Sequence, residues 1–148
     1  MGRGKFIVLE GIDGSGKSTQ ARRLAGNLKA KGFSVVLTRE PADSPAGERL
    51  RKLAREGRKG VSKEEETRLF QEDRAWHCRN VIEPGLARGD TVVSDRYWYS
   101  TVAYQGALGA DPLAIAKESR EKFPAPDFVV YLRVTPKEAL RRILASRP

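Results

Sequence analysis

Residues 11–18 read Gly-Ile-Asp-Gly-Ser-Gly-Lys-Ser and follow directly on the apolar run Phe6-Ile7-Val8-Leu9. The pattern G-x-x-x-x-G-K-[ST] in that position dictates a buried strand, a tight loop and then a helix. Gly11, Gly14 and Gly16 let backbone N–H groups turn inward, because glycine tolerates positive φ and puts no side chain in the way. The helix that starts near Lys17 adds the partial positive charge of its N-terminus. Such a loop is built to hold phosphate. Lys17 would reach the outer phosphates of a nucleoside triphosphate, and the Ser18 hydroxyl would bind Mg²⁺.

The rest of the chain alternates in the same way. Residues 5–9 read as a strand and 17–31 as a helix ended by Lys31-Gly32. Residues 33–38 read as a second strand, followed by a loop with two prolines and a basic helix over 45–56. Ser62 and Glu65 form a capping box, and a long helix is expected from there to about Leu86. Residues 91–94 make a third strand. Residues 97–107 and 111–122 read as helices, 128–132 as a fourth strand, and Pro136 opens a last helix over 136–146. Short continuous apolar strands alternating with helices predict an α/β fold, a parallel sheet covered on both faces. Ligands of such sheets bind at the carboxyl ends of the strands. With no repeat, low-complexity segment or linker in sight, residues 1–148 are expected to form one domain.

The 148 residues are 39% hydrophobic and 32% charged, with no stretch long enough to span a bilayer. No signal peptide is expected, since the apolar run after Arg3 and Lys5 is too short. The single Cys78 excludes an intrachain disulfide and suits a reducing cytoplasm. There is no Cys/His metal cluster. A net charge of +9 invites a nucleic-acid reading, but the basic residues are scattered over Arg22–Arg23, Arg49–Arg58 and Arg141–Arg142 without interleaved aromatics. Phosphate chemistry needs the same sign of charge.

Four further groups are candidates. Asp95, at the tip of the third strand, is placed either to hold Mg²⁺ or to cap the next helix. Arg39, at the end of the second strand, could grip a second phosphate with Arg51 and Arg96. Phe70 and Arg74 are i, i+4 on one helix face; they would stack and hydrogen-bond a base, or be a core ring and a solvated cation. His77 and Cys78 read as packing residues, since neither has a matched partner in the sequence.

Taken together, Glu10-Gly11-Ile12-Asp13-Gly14-Ser15-Gly16-Lys17-Ser18-Thr19-Gln20, Thr38-Arg39-Glu40-Pro41, Asp73-Arg74-Ala75-x-His77, Asp95-Arg96-Tyr97, Ser100-Thr101 and Ala103-Tyr104-Gln105-Gly106 resemble thymidylate kinase in order and spacing, from residue 5 to about 142. The resemblance implies a P-loop kinase fold, transfer of the ATP γ-phosphoryl group to dTMP with Mg²⁺, and a cytoplasmic homodimer. It implies ATP binding by Gly11, Ile12, Asp13, Gly14, Ser15, Gly16, Lys17, Ser18 and Thr19. For dTMP it implies Phe70 on the base, Arg74 on a carbonyl, Thr101 and Tyr104 along base and sugar, and Arg39, Arg51 and Arg96 on the phosphate. Asp13 would lie near the acceptor sugar, Asp95 with Ser18 at Mg²⁺, and Lys17, Arg39, Arg96 and Asp13 would take part in catalysis. Ala42-Asp43-Ser44 stands where the family often has Gly-Gly-Thr. The chain stops at Arg147-Pro148, so an incomplete C-terminal part lacking an arginine-bearing lid is expected.

Two other functions stay open at this level. A deoxynucleoside kinase would need a carboxylate base beside a 5′-hydroxyl, and Glu40 is the candidate. A nucleotide-dependent binding protein would need the phosphate loop and no transfer.

Overall fold

The computed structural model describes residues 2–146. The expectation built on Arg147-Pro148 falls outside them. Four strands, β1 (Phe6–Glu10), β2 (Val35–Arg39), β3 (Thr91–Asp95) and β4 (Phe128–Tyr131), form one parallel sheet in the order β2-β3-β1-β4. Between them run α1 (Lys17–Ala30), α2 (Pro45–Glu56), α3 (Lys63–His77), α4 (Glu83–Ala87), α5 (Trp98–Ala107), α6 (Pro112–Lys122) and, last, α7 (Pro136–Ala145). The register puts Leu9 and Arg39 both opposite Asp95, so the carboxyl ends of three strands lie level. The chain leaves β1 for β2 on one side and β4 pairs on the other, which makes the β1/β3 edge the switch point where ligands are expected.

Local chemistry sets the helix starts. Ser44, Asp111 and Thr135 accept hydrogen bonds from N–H groups of the first turn, and each is followed by a proline whose missing donor is harmless there. Ser62 caps α3 by accepting from the Glu65 N–H. Among the described contacts, Glu65 turns its carboxylate to Arg49, so the capping box is only half made.

The helix expected to run to Leu86 is interrupted. Cys78–Ile82 form a π-helical turn in which the Glu83 N–H reaches back five residues to the Cys78 carbonyl. Pro84 accounts for this: it cannot donate to the Asn80 carbonyl, and its ring would collide with that carbonyl in a regular helix.

One core cluster joins Phe6, Val8 and Val92 to Ile82, Leu86, Tyr97 and Trp98; a second, on the opposite face, joins Leu9 and Val93 to Ala21 of α1. A third, Leu50, Leu53 and Leu69, fastens α2 to α3. Helices thus lie on both faces, while the edge strand β4 stays open, with Phe128, Val129, Val130 and Tyr131 all exposed. Among the described residues no helix is long and apolar enough to cross a membrane.

Candidate active site

Gly11, Gly14 and Gly16 have φ of 152°, 80° and 94°. Gly14 also has no room for a side chain, since a Cβ there would lie 2.5 Å from the Ala139 carbonyl oxygen of α7. Lys17 is buried under the loop and donates to the Ile12 carbonyl at 2.8 Å. Burial, then the charge of Arg96, lowers its pKa. Ser15 Oγ is buried without a partner. Asp13, Gly14, Gly16, Lys17, Ser18, Thr19, Arg39, Glu40, Asp95 and Arg96 line one crevice around this loop.

Ser18 Oγ donates to Asp95 Oδ2 at the floor of that crevice. Asp95 is therefore not a helix cap; the N-cap position of α5 is Tyr97, with no side-chain cap bond among the described residues. A hydroxyl and a carboxylate side by side are hard oxygen donors of the kind Mg²⁺ takes. Among the described residues no group of three or more His, Cys, Asp or Glu could form a metal cage.

A second pocket opens beside the first. Its wall includes Asp13, Glu40, Leu50, Arg51, Arg58, Glu66, Phe70, Arg74, Arg96, Thr101 and Tyr104. Asp13 and Arg96 line both pockets and are ion-paired where they meet. Arg96 has φ of 76°, a left-handed conformation that few non-glycine residues adopt. It also donates to Ser100 Oγ at 2.9 Å and lies 5.4 Å over the Tyr104 ring.

Arg74 is not a solvated cation, whereas Phe70 does pack against the Leu50, Leu53 and Leu69 cluster. Phe70 is half-buried and lines the pocket. Arg74 is 1% exposed and donates through Nε and Nη2 to Glu40 Oε2, at 3.1 and 2.7 Å, and through Nη2 to Thr101 Oγ1 at 2.8 Å. Its Nη1 is buried and has no hydrogen-bond partner among the described residues. The three arginines expected to grip the acceptor phosphate do not all share one crevice. Arg51 and Arg96 line the second pocket. Arg39 ends β2, at the outer edge of the sheet, so its 63%-exposed side chain reaches only the loop crevice and Asp43.

A family model described as thymidylate kinase matches residues 9–148. A probable thymidylate kinase from Pyrococcus horikoshii is 47% identical over 146 residues, which is 95% of this chain and 70% of that protein. The thymidylate kinase of Desulfotalea psychrophila is 43% identical over 145 residues, with 97% and 70% covered. The crystal structure of thymidylate kinase from Ehrlichia chaffeensis superimposes with a TM-score of 0.81 at 34% identity, covering 95% of this chain and 82% of that one. This chain belongs to the thymidylate kinase family.

Several residues that stand in or beside the sequence motifs make contacts that the motifs alone do not reveal. Glu10, at the end of β1, accepts from the Tyr97 N–H at 2.8 Å and from Ser100 Oγ at 2.6 Å, so a strand carboxylate fastens the start of α5. Burial raises its pKa. Asp73 accepts twice from the Ala42 N–H and once from Ser44 Oγ, at 2.5 Å, tying the loop after β2 to α3. Burial raises its pKa too. Asp43, the departure from the usual family loop, lies 3.3 Å from Arg39 and 3.4 Å from Arg51. The expectation that His77 has no partner is overturned: it is fully buried between Glu40 Oε1, at 3.1 Å, and Thr38 Oγ1, at 2.7 Å. The run Asp73-Arg74-x-x-His77 carried the signal, a helix face of three buried polar groups, but not their partners. Cys78 is a packing residue as expected, its thiol pushed up to about 12 by burial.

Proposed function

We propose that the chain transfers the γ-phosphoryl group of ATP to dTMP, giving dTDP and ADP. The observation that carries this is the meeting of two pockets at Asp13 and Arg96. One surrounds a phosphate loop; the other is lined by Arg51 and Arg96 together with the Phe70 ring and Arg74. In-line phosphoryl transfer asks the protein mainly for positioning and for charge neutralisation. Lys17 and the loop N–H groups hold the donor phosphates. Ser18 and Asp95 would hold Mg²⁺, which when bound neutralises charge on the transferring oxygens. Arg51 and Arg96 hold the acceptor phosphate, with Arg39 on the donor side. Phe70 stacks on the base, Arg74 gives Nη1 to a base carbonyl, and Thr101 and Tyr104 line base and sugar. Asp13 lies where the acceptor sugar meets the loop. The protein acts as a single-domain homodimer in the cytoplasm.

A nucleoside acceptor is less well served. Its base would be Glu40, and both Glu40 oxygens are already taken by Arg74 and His77. Titration calorimetry with dTMP and thymidine separates the readings. A phosphate monoester brings about two charges to the arginines, so dTMP is expected to bind at least about tenfold more tightly, about 1.4 kcal/mol. Equal affinities would overturn the monophosphate reading.

A further inference from the structure

We infer that His77, which touches no ligand pocket, is a positioning residue for the acceptor: it holds Glu40 so that Arg74 keeps one nitrogen free for the base. This rests on the proposed role of Arg74. A buried chain of polar contacts runs Thr38–His77–Glu40–Arg74–Thr101, from β2 through α3 to α5. Glu40 is ionised, because Arg74 and His77 outweigh the burial that would raise its pKa. A carboxylate only accepts, so His77 Nδ1 carries a proton toward Glu40 Oε1, while Nε2 meets the Thr38 hydroxyl at 2.7 Å. His77 thereby occupies Oε1, and Oε2 alone takes Nε and Nη2 of Arg74.

The terminal torsion of a glutamate is soft. Without His77, Oε1 would be a buried acceptor with no donor, and its ion-pair partner Arg74 carries, among the described residues, an unpartnered donor in Nη1. The carboxylate would turn to take it, and the one guanidinium nitrogen left over for a ligand would be consumed inside the protein.

The test is calorimetric binding of dTMP and of Mg·ATP to the chain and its variants. His77→Phe keeps the volume and removes both hydrogen bonds; dTMP affinity is expected to fall about tenfold with Mg·ATP affinity within about twofold. His77→Asn, which restores a donor to Glu40, is expected to recover most of the loss. Thr38→Val removes only the outer hydroxyl and should fold where His77→Phe does not; it is expected to weaken dTMP about threefold and leave Mg·ATP alone. In an Arg74→Lys background, which keeps the charge beside Glu40 but has no second fork nitrogen, His77→Phe should have no further effect on dTMP. Equal loss for both nucleotides, an unchanged dTMP affinity in Thr38→Val, or a full His77→Phe effect on top of Arg74→Lys would each overturn the inference. If wild type fails to prefer dTMP over thymidine, the proposed function falls instead, and the two failures are read from different proteins.

Discussion

Glu40→Gln isolates the energetic centre of the acceptor pocket. The side chain is isosteric and removes one charge from a pair in which Arg74 is 1% and Glu40 5% exposed, at 2.7 Å. Removing one partner of a buried pair costs about 3–5 kcal/mol, because the other charge is left uncompensated. The Gln oxygen still accepts one hydrogen bond from Arg74, so the lower end, about 3 kcal/mol, is expected. For a chain of this length that lowers the melting temperature by about 6–12 °C. Glu118→Gln is the control: its i, i+4 pair with Lys122 is 44% and 62% exposed, and is worth less than about 0.5 kcal/mol. The pH dependence gives a second readout. Burial alone would raise the Glu40 pKa; Arg74 and His77 outweigh it, and the folded pKa lies below the usual 4.5. A depressed carboxylate stabilises the fold above its unfolded pKa and loses that contribution as pH falls through the folded one. Wild type should therefore lose stability on acidification below about pH 4.5, where Glu40→Gln has no such group to titrate, and the gap between them should narrow. Thermal melts followed by circular dichroism at pH 7 and pH 3 measure both. A Glu40→Gln shift no larger than that of Glu118→Gln, or a gap that widens in acid, would refute the reasoning.

Lys17→Ala removes the charge facing the donor phosphates and should lower Mg·ATP affinity at least about tenfold by calorimetry, with an unchanged far-ultraviolet spectrum. Phe70→Ala should weaken dTMP by about 1–3 kcal/mol and leave Mg·ATP unaffected; equal losses would mean that the ring serves the α2–α3 core instead. Gly14→Ala meets a φ of 80° and the Ala139 carbonyl 2.5 Å from its new Cβ, so a thermal melt should show destabilisation of at least about 1–2 kcal/mol.

The strands and helices were legible because their causes are local. Short apolar runs such as Phe6–Leu9, Ser-Pro, Asp-Pro and Thr-Pro starts, and glycines at φ near 80° each depend on neighbours in sequence. The phosphate loop was legible for the same reason. The acceptor pocket was legible only as a set of residues, not as an arrangement. Glu40 and Arg74 are 34 positions apart, His77 and Thr38 are 39 apart, and Glu10 meets Ser100 across 90. Nothing local marks His77 as a partner of β2, so it passed for packing. Arg39 and Arg51 looked equivalent as basic residues after the same strand, yet the helical turn of α2 brings one to the pocket while the sheet edge holds the other away. The π turn before Pro84 was readable in principle, since a proline two residues inside an extended helical pattern has to be accommodated somewhere.

The charges of the second pocket support the proposed placement of the acceptor phosphate. Four of its arginines, Arg51, Arg58, Arg74 and Arg96, are each matched by a carboxylate: Asp43, Glu66, Glu40 and Asp13. The empty pocket is therefore close to neutral and can fold without an anion in it. The four acids differ in exposure. Glu40 and Glu66 are 5% and 8% exposed, and releasing either cation would strand a buried charge. Asp43 and Asp13 are 77% and 73% exposed, so water can solvate them as soon as another anion takes their arginines. A phosphate dianion can compete only at the second kind of pair. In the proposed reading that favours Arg51 and Arg96 for the phosphate and leaves the base to Arg74, whose unpartnered nitrogen suits a neutral carbonyl better than an anion.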